Sequence, residues 1–335
     1  MKVFILIFIL FTSFTYSQVK YNKAQINKLS PLQKELFNDM KTMDSVRVQN
    51  VNQYLAKNTS IKKVYIEKDR ILVLHDIIEG KPIYRSIENV VAAQSSGTNE
   101  LQVGGSLNLN LDGTGIEIGV WDGGPVEDDH PEFTDAAGNS KITIKETQNV
   151  DGDIADSDHA THVTGTIAAN GIKQSAKGMA PGVTINSYNF NNDLPEMTLS
   201  VGSTNMILSN HSYGVPVQQE DGNLVDAWLM GAYTNEARAI DQISINNPKY
   251  LIVSSAGNSG TTVYSGGLFA GFDKLTQDKN AKNNLVVANA NPSFNPFNNT
   301  FDTSIINSSS SQGPTDDFRV KPDIAADGTN LESSV

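Results

Sequence analysis

Cysteine is absent from the 335-residue sequence. Disulfides, cysteine-ligated zinc, iron–sulfur clusters and thiol nucleophiles all need that side chain, so the sequence excludes each of them. A lipoprotein anchor through an N-terminal cysteine is excluded for the same reason. Any chemistry that the protein performs must therefore use oxygen and nitrogen side chains.

Basic residues are in the minority, with 25 Lys and Arg against 37 Asp and Glu, a formal net charge of −12 and a pI near 4.8. Binding to nucleic acid phosphates needs clustered cations, so this balance argues against a nucleic acid partner. Hydrophobic residues make up 39% of the chain, which is enough for one large domain and a smaller unit.

Long apolar runs are confined to the N-terminus, where Val3–Phe11 is unbroken. Thr15 and Ser17 then place small residues at −3 and −1 to a cut before Gln18, which predicts a signal peptide over residues 1–17. The run is shorter than the ~20 apolar residues that span a bilayer, and an uncleaved anchor is the alternative. No later segment is apolar enough to span, so we expect a secreted protein without membrane association.

Charge divides the rest of the chain into two parts. Residues 18–96 carry 13 basic and 8 acidic residues, whereas residues 97–335 carry 11 basic and 29 acidic residues. A small polar stretch with glycine, Ser95–Thr98, fits a linker between them. We therefore expect a boundary near position 96.

Residues 18–96 have the pattern of a small α+β unit. Ser30 and Pro31 predict a helix start, and three short strands are expected in 63–87. A basic unit should be attracted to the acidic domain that follows. We interpret it as a pro-segment that docks on its enzyme, with an accessory N-terminal domain as the alternative.

Apolar strands alternate with helices from Gly113 onward. The expected strands and helices are Ile116–Trp121, Val183–Tyr188, Met206–Asn210, Tyr250–Ser255 and Leu285–Ala290 (strands), and His159–Ala169 and Thr234–Ile245 (helices). This alternation predicts an α/β fold, a parallel sheet with helices on both faces.

Three of these segments end or begin with a reactive side chain. Asp122 follows the first strand, His159 opens a helix, and Asn258 follows the strand that ends at Ser255. Ligands of parallel α/β sheets bind at the carboxyl ends of the strands, so these groups are expected to meet there. A histidine base, an aspartate that orients it and an amide that donates to an oxyanion are three of the four groups that amide hydrolysis requires.

Seven segments in the same order resemble the subtilisin-like serine peptidase family, the subtilases. They are GIEIGVWDGG (115–124), DHPEF (129–133), DHATHVTGTIAA (158–169), AKGMAPGVTI (176–185), ILSNHSYG (207–214), SSAGNSG (254–260) and SSSSQGPTDDFRVKPDIAADGTN (308–330). The resemblance implies a subtilisin-like sheet and an endopeptidase that acts on protein or peptide substrates. No cofactor is required for that chemistry.

The resemblance also implies roles for individual residues. Asp122 and His159 match the catalytic Asp and His, and Asn258 matches the oxyanion donor. Ser212, Tyr213 and Gly214 match the strand that binds the substrate backbone, and Tyr213 is expected to help line a side-chain pocket.

The nucleophile that the resemblance requires is not found. The family carries it in a Gly-Thr-Ser motif beyond the last matching segment, whereas the nearest string here, Gly328-Thr329-Asn330, has Asn instead of Ser. We therefore expect the peptidase domain, 97–335, to be C-terminally incomplete and inactive alone, with the catalytic serine beyond Val335. A non-catalytic peptide-binding protein on the same scaffold is the alternative.

Two metal hypotheses follow from the same segments. His159 and His162 lie three positions apart and could serve a metal-dependent hydrolase, although the sequence offers no evident third ligand. The acidic run Asp151–Asp158 has oxygen ligands suited to calcium but lacks EF-hand spacing. One hypothesis is a structural calcium ion there or elsewhere in the domain. The simpler interpretation of Asp151–Asp158 is a solvated acidic loop.

Overall fold

A computed structural model describes residues 21, 23–67, 70–87, 96–135, 137–173, 176–219, 222–269, 271–294, 301–328 and 333–334. The predicted signal peptide lies outside these residues, as does Ser95 at the expected boundary. Of the string Gly328-Thr329-Asn330, the structure describes Gly328 alone.

The N-terminal unit contains the helix and three strands that its sequence predicts. Its elements are α1 (Lys23–Lys28), α2 (Pro31–Lys57), β1 (Val64–Glu67), β2 (Arg70–Ile78) and β3 (Lys81–Ile87). Helix α2 begins at a capping box: Ser30 Oγ accepts from the Gln33 N–H, and Gln33 Oε1 accepts from the Ser30 N–H. This exchange satisfies two backbone donors that a helix start leaves open, and Pro31 brings no N–H of its own.

The larger unit is built from strands and helices that alternate as expected. In chain order they are α3 (Thr98–Leu101), β4 (Glu117–Asp122), β5 (Ile142–Ile144), α4 (Asp158–Ala168), β6 (Thr184–Asn189), α5 (Asp193–Ser203), β7 (Leu208–His211), β8 (Tyr213–Gly214), α6 (Asn235–Asn246), β9 (Leu251–Ser255), β10 (Leu285–Phe294), β11 (Phe301–Ile306) and β12 (Ile324–Asp327). Each strand and helix expected from the sequence is present, with its bounds shifted by a few residues at most.

The central sheet has the order β11-β10-β9-β7-β4-β6-β5, and β12 pairs with β10. All of its pairings are parallel except that of β10 with β11. Side chains alternate across β4: Ile118 and Val120 pack with α4, whereas Trp121 packs with residues of α5 and α6. Helices therefore cover both faces of the sheet, and the predicted α/β fold is confirmed.

The N-terminal unit packs on the face that carries α5 and α6. Helix α2 contacts both of these helices, and its Leu36 and Met40 belong to the same buried cluster as Trp121 and Ile240. Polar contacts also cross between the units, including Arg47 to the carbonyl oxygen of Asn191 at 2.8 Å. The two units thus share one continuous apolar core.

A second, four-stranded sheet joins the units through their backbones. Its order is β1-β2-β3-β8, and β8 comes from the larger unit, one residue after β7 leaves the central sheet. Strand β3 pairs antiparallel with β8, with Ser86 opposite Gly214 and Ile87 opposite Tyr213.

Candidate active site

Asp122 is the last residue of β4, which lies near the middle of the central sheet. Directly before it, Trp121 stacks on Tyr188 of β6, with ring centroids 4.2 Å apart, and on His211 of β7, at 5.3 Å. These three rings occupy matching register positions on adjacent strands. The strand end that carries Asp122 is therefore held by aromatic packing on both sides.

His159 lies in the first turn of α4. Ser157 caps this helix, because its Oγ accepts from the Ala160 N–H at 3.2 Å. Ala160 is fully buried and packs in the apolar cluster between α4 and the sheet. The cap and this packing set where the helix begins, and so they fix the direction of the His159 side chain.

Asp122 and His159 meet at the carboxyl end of the sheet. His159 Nδ1 is 2.7 Å from Asp122 Oδ1, which also accepts from the Gly123 N–H at 2.7 Å. Asp122 is fully buried, whereas the His159 side chain is 12% exposed. In this geometry Nδ1–H is the donor to the carboxylate, so Nε2 is left as the basic nitrogen.

Asn258 lies in the loop that follows β9, two strands away from β4 at the same end of the sheet. Backbone and side-chain contacts hold this loop: Ser311 N–H donates to the Gly257 carbonyl at 2.7 Å, and Ser259 N–H donates to Ser311 Oγ at 3.0 Å. Gly257 has φ +99°, a left-handed conformation that favours glycine. The Asn258 side chain is exposed at this edge.

Ser212, Tyr213 and Gly214 follow β7 and form the edge with which β3 pairs. The pocket-lining role of the Tyr213 side chain stays a prediction. With β3 paired to β8, this side chain is 3% exposed, and its hydroxyl donates to Asp193 Oδ2 at 2.8 Å. The Tyr213 ring packs in the apolar core, and the backbone of β8 pairs with β3.

His211, for which the sequence analysis predicts no role, belongs to a buried polar network. Its Nδ1 is 2.8 Å from the Tyr213 hydroxyl, and its Nε2 is 2.8 Å from Ser209 Oγ, which also contacts the Tyr250 hydroxyl. The network ties β7, β8 and β9 together behind the site. The sequence signal for it is that Ser209, His211 and Tyr213 occupy every second position and so share one side of an extended chain.

Two neighbouring carboxyl groups, the buried Glu196 and the half-buried Glu146, lie on the α5 face beneath Trp121. Glu196 Oε2 accepts from the Trp121 Nε1–H at 3.1 Å, and Glu146 Oε2 accepts from the Asn189 N–H at 2.8 Å. Burial raises the pKa of Glu146 to about 7. Burial, with the adjacent Glu146 carboxyl, also raises the pKa of Glu196 well above its ordinary value. Each carboxyl therefore favours its protonated form more than a solvent-exposed glutamate does.

The metal hypotheses concern His159, His162 and the run Asp151–Asp158. No group of three or more His, Asp or Glu side chains there lies close enough together to hold a metal ion. His159 Nδ1 faces Asp122, and the main-chain carbonyl of His162 accepts from Ser333 Oγ at 2.7 Å. Calcium at Asp151–Asp158 stays a prediction. Among the described helices, none is long and apolar enough to cross a membrane.

Two solved structures have partial similarity to this chain. Fervidolysin from Fervidobacterium pennivorans, a keratinolytic enzyme related to subtilisin, is 19% identical, with a TM-score of 0.42 over 75% of this chain and 38% of that chain. MycP1 from Mycobacterium smegmatis is 15% identical, with a TM-score of 0.36 over 74% and 68% of the two chains.

A curated relative and a family model match the sequence itself. The minor extracellular protease Vpr of Bacillus subtilis (strain 168) is 28% identical over 142 residues, which are 40% of this chain and 17% of Vpr. The chain thus spans less than a fifth of that relative's length. The model of the subtilase family, peptidase S8, matches residues 113–335, which include Asp122, His159 and Asn258. The chain therefore belongs to the subtilase family of serine peptidases.

Proposed function

We propose that this protein is the precursor of a secreted serine endopeptidase that hydrolyses peptide bonds in proteins. The observation that carries the proposal is the 2.7 Å contact between His159 Nδ1 and the buried Asp122 carboxylate, at the sheet edge where α/β enzymes bind their ligands. The proposed mechanism also needs a serine nucleophile, which the full-length gene product would have to supply beside His159. The extracellular protease Vpr supports secretion, as does the predicted signal peptide.

In the proposed mechanism, His159 Nε2 takes the proton from the serine hydroxyl as that oxygen attacks the substrate carbonyl. Asp122 keeps the proton of the imidazole on Nδ1 and stabilises the imidazolium that forms. The Asn258 side-chain amide donates to the oxyanion of the tetrahedral intermediate. His159 then returns its proton to the leaving amine, and water repeats the sequence on the acyl-enzyme.

Substrate capture is proposed to occur by strand addition to Ser212–Gly214. The pairing of β3 with β8 supports this role, because it shows that the edge accepts an antiparallel backbone. The same pairing supports a pro-segment role for residues 18–96, since an incoming peptide and β3 need the same hydrogen-bonding groups. An ion pair between Lys81 and Asp226 and the shared apolar core add to the attraction between the two units.

The test of the proposed function is proteolysis by the full-length gene product. We expect it to degrade casein and to lose this activity after treatment with a fluorophosphonate. It should keep the activity in a chelator at a concentration that leaves its melting temperature unchanged. The His159→Ala variant should be inactive, whereas the matched variant His130→Ala, outside the proposed machinery, should keep its activity. Fluorophosphonate resistance combined with chelator sensitivity would instead favour the metal-dependent hydrolase. Peptide binding without cleavage would indicate the non-catalytic alternative.

The pro-segment role has its own test. Residues 18–96 released by processing should inhibit the mature enzyme in competition with a peptide substrate. Competitive inhibition makes the apparent inhibition constant rise with substrate concentration. An apparent inhibition constant that stays the same at all substrate concentrations would contradict docking at the substrate edge.

A further inference from the structure

Two neighbouring side chains bind the backbone of the proposed substrate edge from behind. Lys279 Nζ donates to the Tyr213 carbonyl oxygen at 2.9 Å, and Thr276 Oγ1 donates to the Val215 carbonyl oxygen at 2.7 Å. Both donors belong to the clamp segment (276–280), which consists of Thr276 and a 3-10 helix over Gln277–Asn280. Neither residue was singled out by the sequence patterns.

The two accepting carbonyls alternate along the strand, and this spacing has a geometric consequence. In an extended chain, the N–H and C=O of one residue point to one side and those of its neighbours to the other. Since the carbonyls of Tyr213 and Val215 face the clamp segment, Gly214 between them faces the opposite side. That is the side on which Ser86 of β3 lies opposite Gly214.

Both donors are deeply buried, which makes their contacts costly to lose. Lys279 is 1% exposed and Thr276 is 2% exposed, and the Lys279 ammonium lies 3.6 Å from Asp278 Oδ1. A buried carbonyl that loses its donor keeps the desolvation penalty without the bond. The strand would then shift or rotate to find another partner, and Gly214 would move with it.

The clamp segment is itself fixed to its surroundings. The Arg319 guanidinium donates to the Asn280 carbonyl at 2.7 Å and to the Ala281 carbonyl at 3.0 Å. Asn280 Nδ2 donates to the carbonyl of Leu275, the residue before the clamp segment, at 2.9 Å. The two donors therefore act from a rigid support, which is what the positioning of a binding edge requires.

We propose that Thr276 and Lys279 are positioning residues for substrate binding: they hold β8 so that Gly214 presents its N–H and C=O to an incoming peptide strand. The inference rests on the proposed endopeptidase function and adds residues that determine how well extended peptides bind. Its effect is specific to substrates long enough to pair with β8, because a short ester makes no such pairing.

The experiment compares Thr276→Val, which removes the hydroxyl and keeps the shape, with the control Thr276→Ser, which keeps the hydroxyl. Substrates are a short ester and a peptide that adds four residues before the same scissile bond, given to the processed full-length enzyme. Thr276→Val should lower kcat/KM for the peptide about tenfold, mainly through KM, and change that for the ester less than about twofold. Thr276→Ser should keep both values within about twofold, and Lys279→Met should behave like Thr276→Val.

An equal loss on ester and peptide, or no loss on either, would overturn the positioning role. Calorimetric binding of a non-cleavable analogue of the longer peptide gives a readout that does not depend on hydrolysis. If the wild-type protein binds this analogue without cleaving the peptide, the proposed function fails, while weaker binding by Thr276→Val still supports the positioning role. Thermal unfolding of each variant shows whether it is folded, and Lys279→Met provides the second variant if Thr276→Val is not.

Discussion

At the scale of single residues, burial decides how the site can work. The Asp122 carboxylate is completely buried, and its Oδ1 accepts from a backbone N–H as well as lying 2.7 Å from His159. Charge-assisted hydrogen bonds of this kind are strong in a site of low dielectric. Because the His159 ring is partly exposed, the opposite nitrogen can meet a hydroxyl and a substrate.

Asn258 provides a residue-scale prediction. In the Asn258→Ala variant we expect kcat to fall about 10²–10³-fold with little change in KM, because in the proposed mechanism the amide donates to an oxyanion that develops only in the transition state. Steady-state kinetics on a peptide substrate measure the two constants separately. The control is Thr261→Ala, an exposed position in the same loop, which should leave both unchanged. A full-rate Asn258→Ala enzyme would contradict the oxyanion role.

At the scale of elements, a single carboxylate joins the segment after β4 to the end of α4. Glu132 accepts from three successive backbone N–H groups: Gly171 at 2.6 Å, Ile172 at 3.0 Å and Lys173 at 2.8 Å. Gly171 has φ +85°, the left-handed conformation that turns these donors toward one acceptor. The contact anchors the C-terminal end of the helix that carries His159 at its start.

The corresponding prediction concerns stability. Glu132→Gln keeps one oxygen acceptor but loses the charge, so we expect the free energy of unfolding to fall by about 2 kcal/mol. Urea denaturation measures this as a lower midpoint at an unchanged slope. Asp129→Asn, an exposed acidic position nearby, is the control and should shift the midpoint by a small fraction of that amount. Equal midpoints for Glu132→Gln and the wild type would show that the contact contributes nothing.

The strands and helices that set the site were predictable because their patterns are strong. The apolar run that becomes β4 is buried on both faces, and Ser157 and Thr234 supply helix caps. Helix α5, over Asp193–Ser203, was not predicted. Its polar residues Asp193, Glu196 and Ser200 are buried, so the sequence looks like a loop. Hydrogen bonds to residues of other elements offset the cost of burying these polar groups. The spacing of residues in the sequence does not show such partners.

At the scale of the whole molecule, the N-terminal unit and the larger unit share a core and a sheet. The charge difference in the sequence predicted attraction but not the pairing of β3 with β8. That pairing joins Ser86 to Gly214 across more than a hundred positions, and no local pattern encodes such a register. Motifs predict the candidate site residues Asp122, His159 and Asn258, whereas Thr276 and Lys279 lie in no motif.

A molecule-scale prediction follows from the carboxyl pair of Glu146 and Glu196. The pKa values of Glu146 and Glu196 are raised in the folded protein above those in the unfolded chain, so the folded state holds more protons near neutrality. Their contribution to stability is therefore present below the unfolded pKa and is lost as pH rises through about 7, the folded pKa of Glu146.

Melting temperatures between pH 5 and pH 8.5 test this dependence, a range chosen to bracket the folded pKa of about 7. We expect the wild-type melting temperature to fall with pH across this range, and that of Glu196→Gln to fall less steeply. The glutamine retains an oxygen that can accept from Trp121, so the comparison isolates ionisation. Parallel curves for the two proteins would contradict the assignment to this pair.

The central claim, that Asp122 and His159 form the working base of a serine endopeptidase, is tested most directly by one substitution. Asp122→Asn preserves the shape of the side chain but favours the wrong imidazole tautomer. The account predicts that kcat of the processed full-length enzyme on a peptide falls by about 10⁴-fold while KM and the melting temperature change little. A variant that keeps kcat within about tenfold of the wild type would contradict it.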